Sequence, residues 1–113
     1  MALKLKDIVE KLGLTNFTPG VSLDREVKGG YTSDLLSDVM GHAREGQLWI
    51  TLQTHNNVTG IASLKDLAGI VLVKGFKPAP DTVATAESED IPILGTPMEA
   101  FEFSGTLFGL FER

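Results

Sequence analysis

Residues that can carry out acid–base chemistry occur at two points in this sequence. Ser33 and Asp34 follow the segment "VKGGYT", and His55 follows the apolar run "LWITLQT". Together they contain the nucleophile, the orienting carboxylate and the base of a hydrolytic triad. A triad is defined by geometry, however, and nothing in this spacing requires the three side chains to meet. A hydrolase or transferase that uses His55 is therefore the weakest functional hypothesis.

A metal site and a nucleotide-binding loop are also poorly supported by the sequence. His42 and His55 form no H-x-x-x-H pair, so we expect no metal site. The segment "GHAREGQL" has the two-glycine spacing of a P-loop, but Gln47 and Leu48 stand where a lysine and a hydroxyl residue are required. It also precedes a predicted strand, whereas a P-loop follows one. We therefore expect neither an ATP site there nor a cofactor.

The alternation of apolar and polar segments predicts strands separated by helices. Short, nearly continuous apolar runs indicate three strands: 48–54, 69–74 and 91–96. Equivalent positions in them recur at the same interval: Trp49, Ile70 and Ile91. Segments of helical length lie between them: 57–67 and 80–89. Apolar strands that alternate with helices are typical of a largely parallel sheet buried between two helical layers, so we predict one α/β domain over 1–113, a three-layer α/β/α fold.

Glycine, proline and N-cap residues indicate where the predicted helices and strands begin and end. A helix over 3–12 should end at Gly13, and Pro19-Gly20 should interrupt a strand-like segment over 14–27. Ser33 or Asp34 is predicted as the N-cap of a second helix, whose apolar face would be formed by five residues: Leu35, Leu36, Val39, Met40 and Ala43. Pro92, at the start of its strand, favours an edge position in the sheet.

The ends of the predicted strands collect the candidate binding residues. In a parallel sheet, the loops that leave the carboxyl ends of the strands gather at one edge, where ligands of such folds bind. That rule selects seven residues: Ser33, Thr54, His55, Asn57, Lys74, Gly75 and Thr96. Helix amides and a lysine there would suit a small anionic or phosphorylated ligand. The alternative is structural, because Asn57 and Thr96 also fit as helix caps and Gly75 as a turn residue.

The C-terminal segment "TPMEAFEFSGTLFGLFER" predicts the clearest helix. Thr96, Pro97 and Glu99 have the spacing of a capping-box start. Four apolar residues recur on one face: Ala100, Phe103, Leu107 and Leu110. Three phenylalanines widen that face: Phe101, Phe108 and Phe111. An apolar arc this wide indicates a second buried contact, so we expect a homodimer with these three phenylalanines at its interface.

The composition excludes several other classes of protein. The chain has 113 residues, of which 42% are hydrophobic and 22% charged, as in an ordinary single-domain globular protein. A net charge of −5 without a basic cluster argues against a nucleic-acid partner. No apolar run reaches the roughly 20 residues of a membrane span. With no cysteine and no signal-peptide pattern, we expect a cytoplasmic protein without disulfides.

The segments "GGYTSDLLSDVM" and "WITLQTHNN" are similar to the DRTGG domain family, in particular to its small stand-alone members in bacteria and archaea. The resemblance extends over nearly the whole chain. The same domain type occurs in phosphate acetyltransferases and between CBS domains of some inorganic pyrophosphatases, and the N-terminal domain of HPr kinase/phosphorylase is similar in fold. The resemblance implies an often dimeric α/β/α domain with an accessory or regulatory role, since the chemistry of those proteins lies in other domains.

Two segments depart from the pattern that names the family. The "HNN" at 55–57 stands where the Asp-Arg pair would be, and the "VKG" at 73–75 stands where Thr-Gly-Gly would be. The "DREVKGG" at 24–30 falls before the regular strand–helix units. The ligand contacts of the named residues therefore do not transfer to this chain. Stand-alone members resemble components that accompany HPr-kinase-like serine kinases, which implies such a kinase as a partner.

Two functional classes thus stand ahead of the enzyme. The first is a regulatory module that senses a small anionic ligand at the strand ends or interacts with a protein. The second is a structural subunit that docks on a kinase through the surface formed by Phe101, Phe108 and Phe111. The sequence does not separate these two.

Overall fold

Seven strands and five helices follow one another in the computed structural model, which describes residues 3–111. The strands are β1 (Leu3–Lys4), β2 (Thr15–Asn16), β3 (Glu26–Val27), β4 (Gly29–Thr32), β5 (Gln47–Thr51), β6 (Gly69–Leu72) and β7 (Ile93–Gly95). The helices are α1 (Leu5–Leu12), α2 (Leu36–His42), α3 (Asn57–Leu64), α4 (Pro80–Ser88) and α5 (Ala100–Leu110). None of the helices within 3–111 is long and apolar enough to cross a membrane.

The main sheet has five strands in the order β2-β7-β6-β5-β4. The strands from β4 to β7 are parallel, and β2 pairs antiparallel with β7. The mostly parallel α/β architecture predicted from the sequence is therefore confirmed. A separate antiparallel pair joins β1 to β3, where Leu3 faces Val27.

The pairing register corrects two details of the prediction. Trp49 faces Ile70 as expected, but Ile70 faces Ile93, so Ile91 is not the equivalent residue. The amide of Ile91 instead donates to the Ala86 carbonyl and closes the end of α4. The edge position suggested by Pro92 is also wrong, because β2 covers β7 on its outer side. Pro92 lies just before the paired residues, where its missing N–H costs no ladder bond.

The central strands β5, β6 and β7 are buried on both faces, so the fold needs a helical layer on each side of the sheet. Consecutive strands from β4 to β7 are neighbours, and the helices that connect them pack on one face around Trp49 and Ile70. On the other face α1 and α5 cover Leu48 and Ile50, and Phe103 of α5 is fully buried among them. The three-layer α/β/α arrangement is confirmed.

The first helix ends as the sequence indicates, but it begins at Leu5 because Leu3 and Lys4 form β1. Two other helices also begin later than predicted. Gly13 adopts the left-handed conformation (φ 63°) that terminates α1. The N-cap of α2 is Leu35 rather than Ser33 or Asp34, and the N-cap of α5 is Glu99 rather than Thr96. The amide of Thr96 still belongs to the sheet, since it donates to the Leu72 carbonyl.

The apolar face predicted for α2 is also narrower than expected. Val39 and Ala43 are buried, whereas Leu35 is 64% exposed and Met40 is 40% exposed. A helix that starts at Leu36 places Leu35 outside the helical repeat, so the pattern of apolar residues does not continue through it.

Gly95 on β7 provides a test of the packing between β2 and β7. A Cβ atom at this position would lie 2.6 Å from Cε2 of Phe17. Gly95→Ala is therefore expected to lower the free energy of unfolding by about 1–3 kcal/mol, the usual cost of overpacking, as measured by urea denaturation.

Gly60→Ala in α3 is the matched control, because a Cβ atom there meets no other heavy atom within 4 Å. Its free energy of unfolding should rise by about 0.5–1 kcal/mol, since alanine favours the helix over glycine. A Gly95→Ala protein as stable as the wild type would contradict the tight contact with Phe17.

Candidate functional site

The carboxyl ends of β4, β5, β6 and β7 lie side by side and form what we term the C-terminal edge: residues 33–35, 52–57, 73–75 and 96–98. All seven residues predicted from the strand-end rule fall within these segments: Ser33, Thr54, His55, Asn57, Lys74, Gly75 and Thr96. The parallel register is the reason, because it aligns the points at which the chain leaves the sheet. Ligand binding by these residues stays a prediction.

The loops after β6 and β7 are bound to each other. The amide of Lys74 donates to the Met98 carbonyl at 2.7 Å, and the amide of Gly75 donates to the Thr96 carbonyl at 2.9 Å. Both Lys74 (φ 59°) and Gly75 (φ 74°) adopt the left-handed conformation, which turns the chain back over the sheet. Thr96 is buried, so the exposed Lys74 side chain is the group that this part of the edge offers to an anion.

The backbone groups of the loop after β5 are likewise hydrogen-bonded within the protein. The amides of Val58 and Thr59 donate to the carbonyls of His55 and Asn56, which occupies two amides at the start of α3. The carbonyl of Thr54 accepts hydrogen bonds from the Ala79 amide and the Thr82 hydroxyl group. The N-cap is Asn56, one residue before the predicted Asn57.

The side chains of His55 and Asn57 are the parts of this loop that a ligand could contact. Both side chains are exposed at the C-terminal edge. An anion at the start of α3 would contact these two side chains.

Ser33 and Asp34 link β4 to β5. The Ser33 hydroxyl oxygen accepts a hydrogen bond from the Leu35 amide at 3.2 Å. The Asp34 carboxylate accepts one from the Thr51 hydroxyl group and another from the Leu52 amide, both at 2.7 Å. The carboxylate thus fixes the end of β5 through its Oδ1 atom, which is a structural task.

A polar cluster that the sequence analysis missed connects β4 to α2. The Tyr31 hydroxyl group donates to Asp38 at 2.8 Å, and Nδ1 of His42 lies 3.2 Å from the same carboxylate. The Tyr31 hydrogen bond, followed by Ser33 and His42, holds the pKa of Asp38 below its usual range. The same hydrogen bond raises the pKa of Tyr31. The helical spacing of Asp38 and His42 signals half of the cluster, but the contact with Tyr31 depends on tertiary structure.

A groove of about 630 Å³ lies between α5 and β4, on the side of the sheet where β4 is the last strand. We term it the α5–β4 groove, and the following residues line it: Lys28, Gly29, Gly30, Thr32, Gln47, Ile50, Phe101, Ser104, Gly105, Leu107, Phe108 and Phe111. The surface that these residues expose to the groove is mostly apolar. Lys28 is the charged residue in the set, and its ammonium group lies 3.2 Å from Glu45.

The phenylalanines of α5 divide into two kinds. Phe101 is 93% exposed and Phe108 is 75% exposed, although both are large apolar side chains. Phe111 is partly buried and packs against the core below α5. The exposed aromatic surface of α5 therefore consists mainly of Phe101 and Phe108.

Gly30 and Thr32 determine how closely α5 approaches β4. A Cβ atom at Gly30 would lie 3.1 Å from Cδ2 of Leu107, so the glycine leaves room for the helix. The hydroxyl groups of Thr32 and Ser104 are hydrogen-bonded across the groove at 2.7 Å. Both contacts hold α5 close to β4.

A second cavity of about 460 Å³ lies at the opposite edge, near the amino ends of β5, β6 and β7. Both of its basic side chains are paired with acidic ones. Arg25 donates to the carboxylate and to the carbonyl of Asp90, and Lys28 contacts Glu45. Among residues 3–111, no group of three or more histidine, aspartate or glutamate residues is arranged to hold a metal ion.

Comparison with known proteins identifies the fold but no family. No protein-family model matches this sequence, and no curated protein matches it. The fold is similar to the CBS and DRTGG domains of the regulatory region of a pyrophosphatase from Clostridium perfringens, solved in complex with its activator, diadenosine tetraphosphate. The TM-score is 0.71 at 14% sequence identity, over 92% of this chain and 45% of the other. The likeness supports a DRTGG-like fold, and this chain spans less than half of the pyrophosphatase fragment.

Tyr31→Phe tests the polar cluster between β4 and α2. Removal of the hydroxyl group should raise the pKa of Asp38 towards its ordinary value, because the Tyr31 hydrogen bond is the largest cause of its lowering. A carboxyl pKa lowered by folding stabilises the native state above the unfolded value of about 3.9, and this stabilisation is lost as the pH falls through the folded value. The variant should therefore be less stable than the wild type at neutral pH, and the difference should close below about pH 4.

The Asp38 pKa is read from a carboxyl-carbon NMR titration. His42→Gln is the control, and it should raise the pKa by less because the interaction with His42 contributes less. An Asp38 pKa that is unchanged in Tyr31→Phe would contradict this account of the cluster.

Proposed function

We propose that this protein is a non-enzymatic regulatory module that works by association, first of all with a second copy of itself. The observation that supports this best is the exposure of Phe101 (93%) and Phe108 (75%) beside the α5–β4 groove. Large apolar side chains that line a concave surface are typical of interaction sites. In this proposal the module acts in the cytoplasm.

The charge distribution favours a second copy as the occupant of this surface. Two chains of net charge −5 repel each other over most of their surface. The α5–β4 groove is an exception, because Lys28 is the charged residue that lines it in the described part of the chain. The exposed phenylalanines also have open space next to them, since a Cβ atom at Gly105 or Gly109 would meet nothing within 4 Å. A two-fold interface needs such a surface, with its own projections and its own recesses.

Phe108→Asp is expected to dissociate the dimer, because it places a charge in the apolar contact. Light scattering combined with size-exclusion chromatography measures the mass of wild type and variant. Leu64→Asp is the matched control, since Leu64 is 68% exposed but lies on α3, on the other face of the sheet. A folded Phe108→Asp protein that remains dimeric, or a wild type that is monomeric at all concentrations, would refute the proposed self-association.

A second candidate function is the sensing of a small anionic ligand at the C-terminal edge. The likeness in fold to a regulatory region that was solved with diadenosine tetraphosphate favours it. The exposed side chains of His55, Asn57 and Lys74 are the groups that would contact the phosphates. Because the amides of Val58, Thr59, Lys74 and Gly75 already have partners within the protein, the proposed affinity rests mainly on these side chains.

A thermal-shift screen with diadenosine tetraphosphate, ATP, acetyl phosphate and phosphorylated sugars tests the sensing function. A compound present at 100 times its dissociation constant should stabilise the protein by about 2.7 kcal/mol. The shift should disappear in His55→Ala and decrease in Lys74→Gln, whereas Lys11→Gln on α1 should leave it unchanged. A screen without any shift would remove this candidate.

Two other interpretations have less support. Docking on an HPr-kinase-like serine kinase would use the same surface of Phe101 and Phe108, and it becomes the first hypothesis if the protein is monomeric. An enzyme that uses His55 is disfavoured, because the Asp34 carboxylate is bound to Thr51 and Leu52.

A further inference from the structure

The edge of the sheet next to the α5–β4 groove is open. Within residues 3–111, β4 has a neighbouring strand on one side only. Gly30 and Thr32 on this strand are exposed. The residues of β4, "GGYT", include neither a charged residue nor a proline, which are the usual means of protecting an exposed edge from pairing.

The hydrogen bonds to β5 show which backbone groups of β4 point outwards. The amide of Ser33 donates to the Ile50 carbonyl and therefore points towards β5. Because the direction alternates along a strand, Tyr31 also points towards β5, whereas the N–H and C=O groups of Gly30 and Thr32 point away from the sheet. These two residues offer two donors and two acceptors to a further strand.

We infer that β4 pairs antiparallel with β4 of a second copy, so that the five strands of each protomer join into one continuous sheet. This inference rests on the proposed self-association and specifies its geometry. A two-fold axis perpendicular to the sheet keeps each layer on its own side. It therefore places the two α5 helices next to each other, with Phe101 and Phe108 of both copies over the junction. The open edge and the exposed phenylalanines are thereby covered by the same partner.

The outward N–H and C=O groups of Gly30 and Thr32 determine the register of the inferred pair of β4 strands. Residues that face each other in an antiparallel pair have side chains on the same side of the sheet. The register that uses all outward groups places Gly30 opposite Thr32 of the partner subunit, with Tyr31 on the two-fold axis. Tyr31 then faces its own copy in a non-hydrogen-bonded pair, in which the Cα atoms are about 4.5 Å apart.

A single introduced cysteine tests this register, because the wild-type chain contains none. A Cα separation of about 4.5 Å lies within the range of a disulfide. Tyr31→Cys should therefore form a covalent dimer in the presence of oxidised glutathione, as seen by non-reducing electrophoresis. Ser88→Cys, an exposed position at the end of α4, is the control and should remain a monomer on the gel. The cross-link should be lost in the double variant Tyr31→Cys, Phe108→Asp.

A pair of variants at Thr32 tests the backbone contact without a cross-link. Thr32→Pro removes the outward N–H group and should weaken dimerisation at least about tenfold in analytical ultracentrifugation, the loss expected for the hydrogen bonds of a pairing strand. Thr32→Val loses the hydroxyl bond to Ser104 but keeps the amide, so it should dimerise like the wild type. Circular dichroism confirms that each variant is folded.

The outcomes separate this inference from the proposed function. A dimer that is sensitive to Phe108→Asp, but is neither cross-linked through Tyr31→Cys nor weakened by Thr32→Pro, would overturn the strand pairing and leave self-association through α5. A wild type that is monomeric at all concentrations would overturn both. Selective cross-linking together with the difference between Thr32→Pro and Thr32→Val would support the continuous sheet.

Discussion

The burial of the central strands β5, β6 and β7 on both faces is the constraint from which the rest of the architecture follows. Trp49, Ile50, Ile70 and Val71 are almost completely inaccessible to solvent, so neither face of the sheet can border on water. A sheet of this kind requires a helical layer on each side. The connecting helices α2, α3 and α4 form one layer, because β4, β5, β6 and β7 are neighbours in chain order. The other layer has to come from the two ends of the chain, α1 and α5.

The same constraint explains why the two exposed borders of the sheet differ. At the C-terminal edge the loops emerge close together, and their backbone groups find partners among themselves, as Gly75 does with Thr96. At β4 the pairing ends: within residues 3–111 no further strand covers it, and "GGYT" contains no charged side chain. The apolar surface of α5 lies directly beside this open strand. The proposed association therefore uses β4 and α5, and the proposed ligand sensing uses the side chains of the C-terminal edge.

The likeness to a pyrophosphatase regulatory region concerns the fold, and function is carried by particular residues placed on a fold. At 14% identity the two chains share an arrangement of layers and few side chains. The functional proposals therefore rest on the surface of this chain, which exposes Phe101 and Phe108 on one side of the sheet and His55 and Lys74 at the C-terminal edge. Association and ligand sensing are compatible, because the two surfaces are formed by different residues.

Strand and helix order could be predicted because hydrophobic periodicity is a local property. The run around Trp49 and the glycine at position 13 identify their elements without reference to the remainder of the chain. The strand-end rule likewise assigned His55 and Lys74 to one edge, since it depends only on parallel pairing. The first residues of the helices were harder to predict. Thr96, for example, has a side chain suited to an N-cap, but its amide donates to the Leu72 carbonyl within the sheet.

Only the tertiary structure decided how distant segments pair. β2 pairs antiparallel with β7, so the strand that follows Pro92 is not at the edge of the sheet. This pairing joins residues far apart in the sequence and has no local signal. The hydrogen bond of Asp34 to Thr51 and the exposure of Phe108 are of the same kind. The sequence by itself determined which segments are strands, helices and strand ends, since these depend on neighbouring residues. The structure decided which polar groups are already satisfied and which apolar side chains remain exposed, because both depend on what the folded chain places beside them.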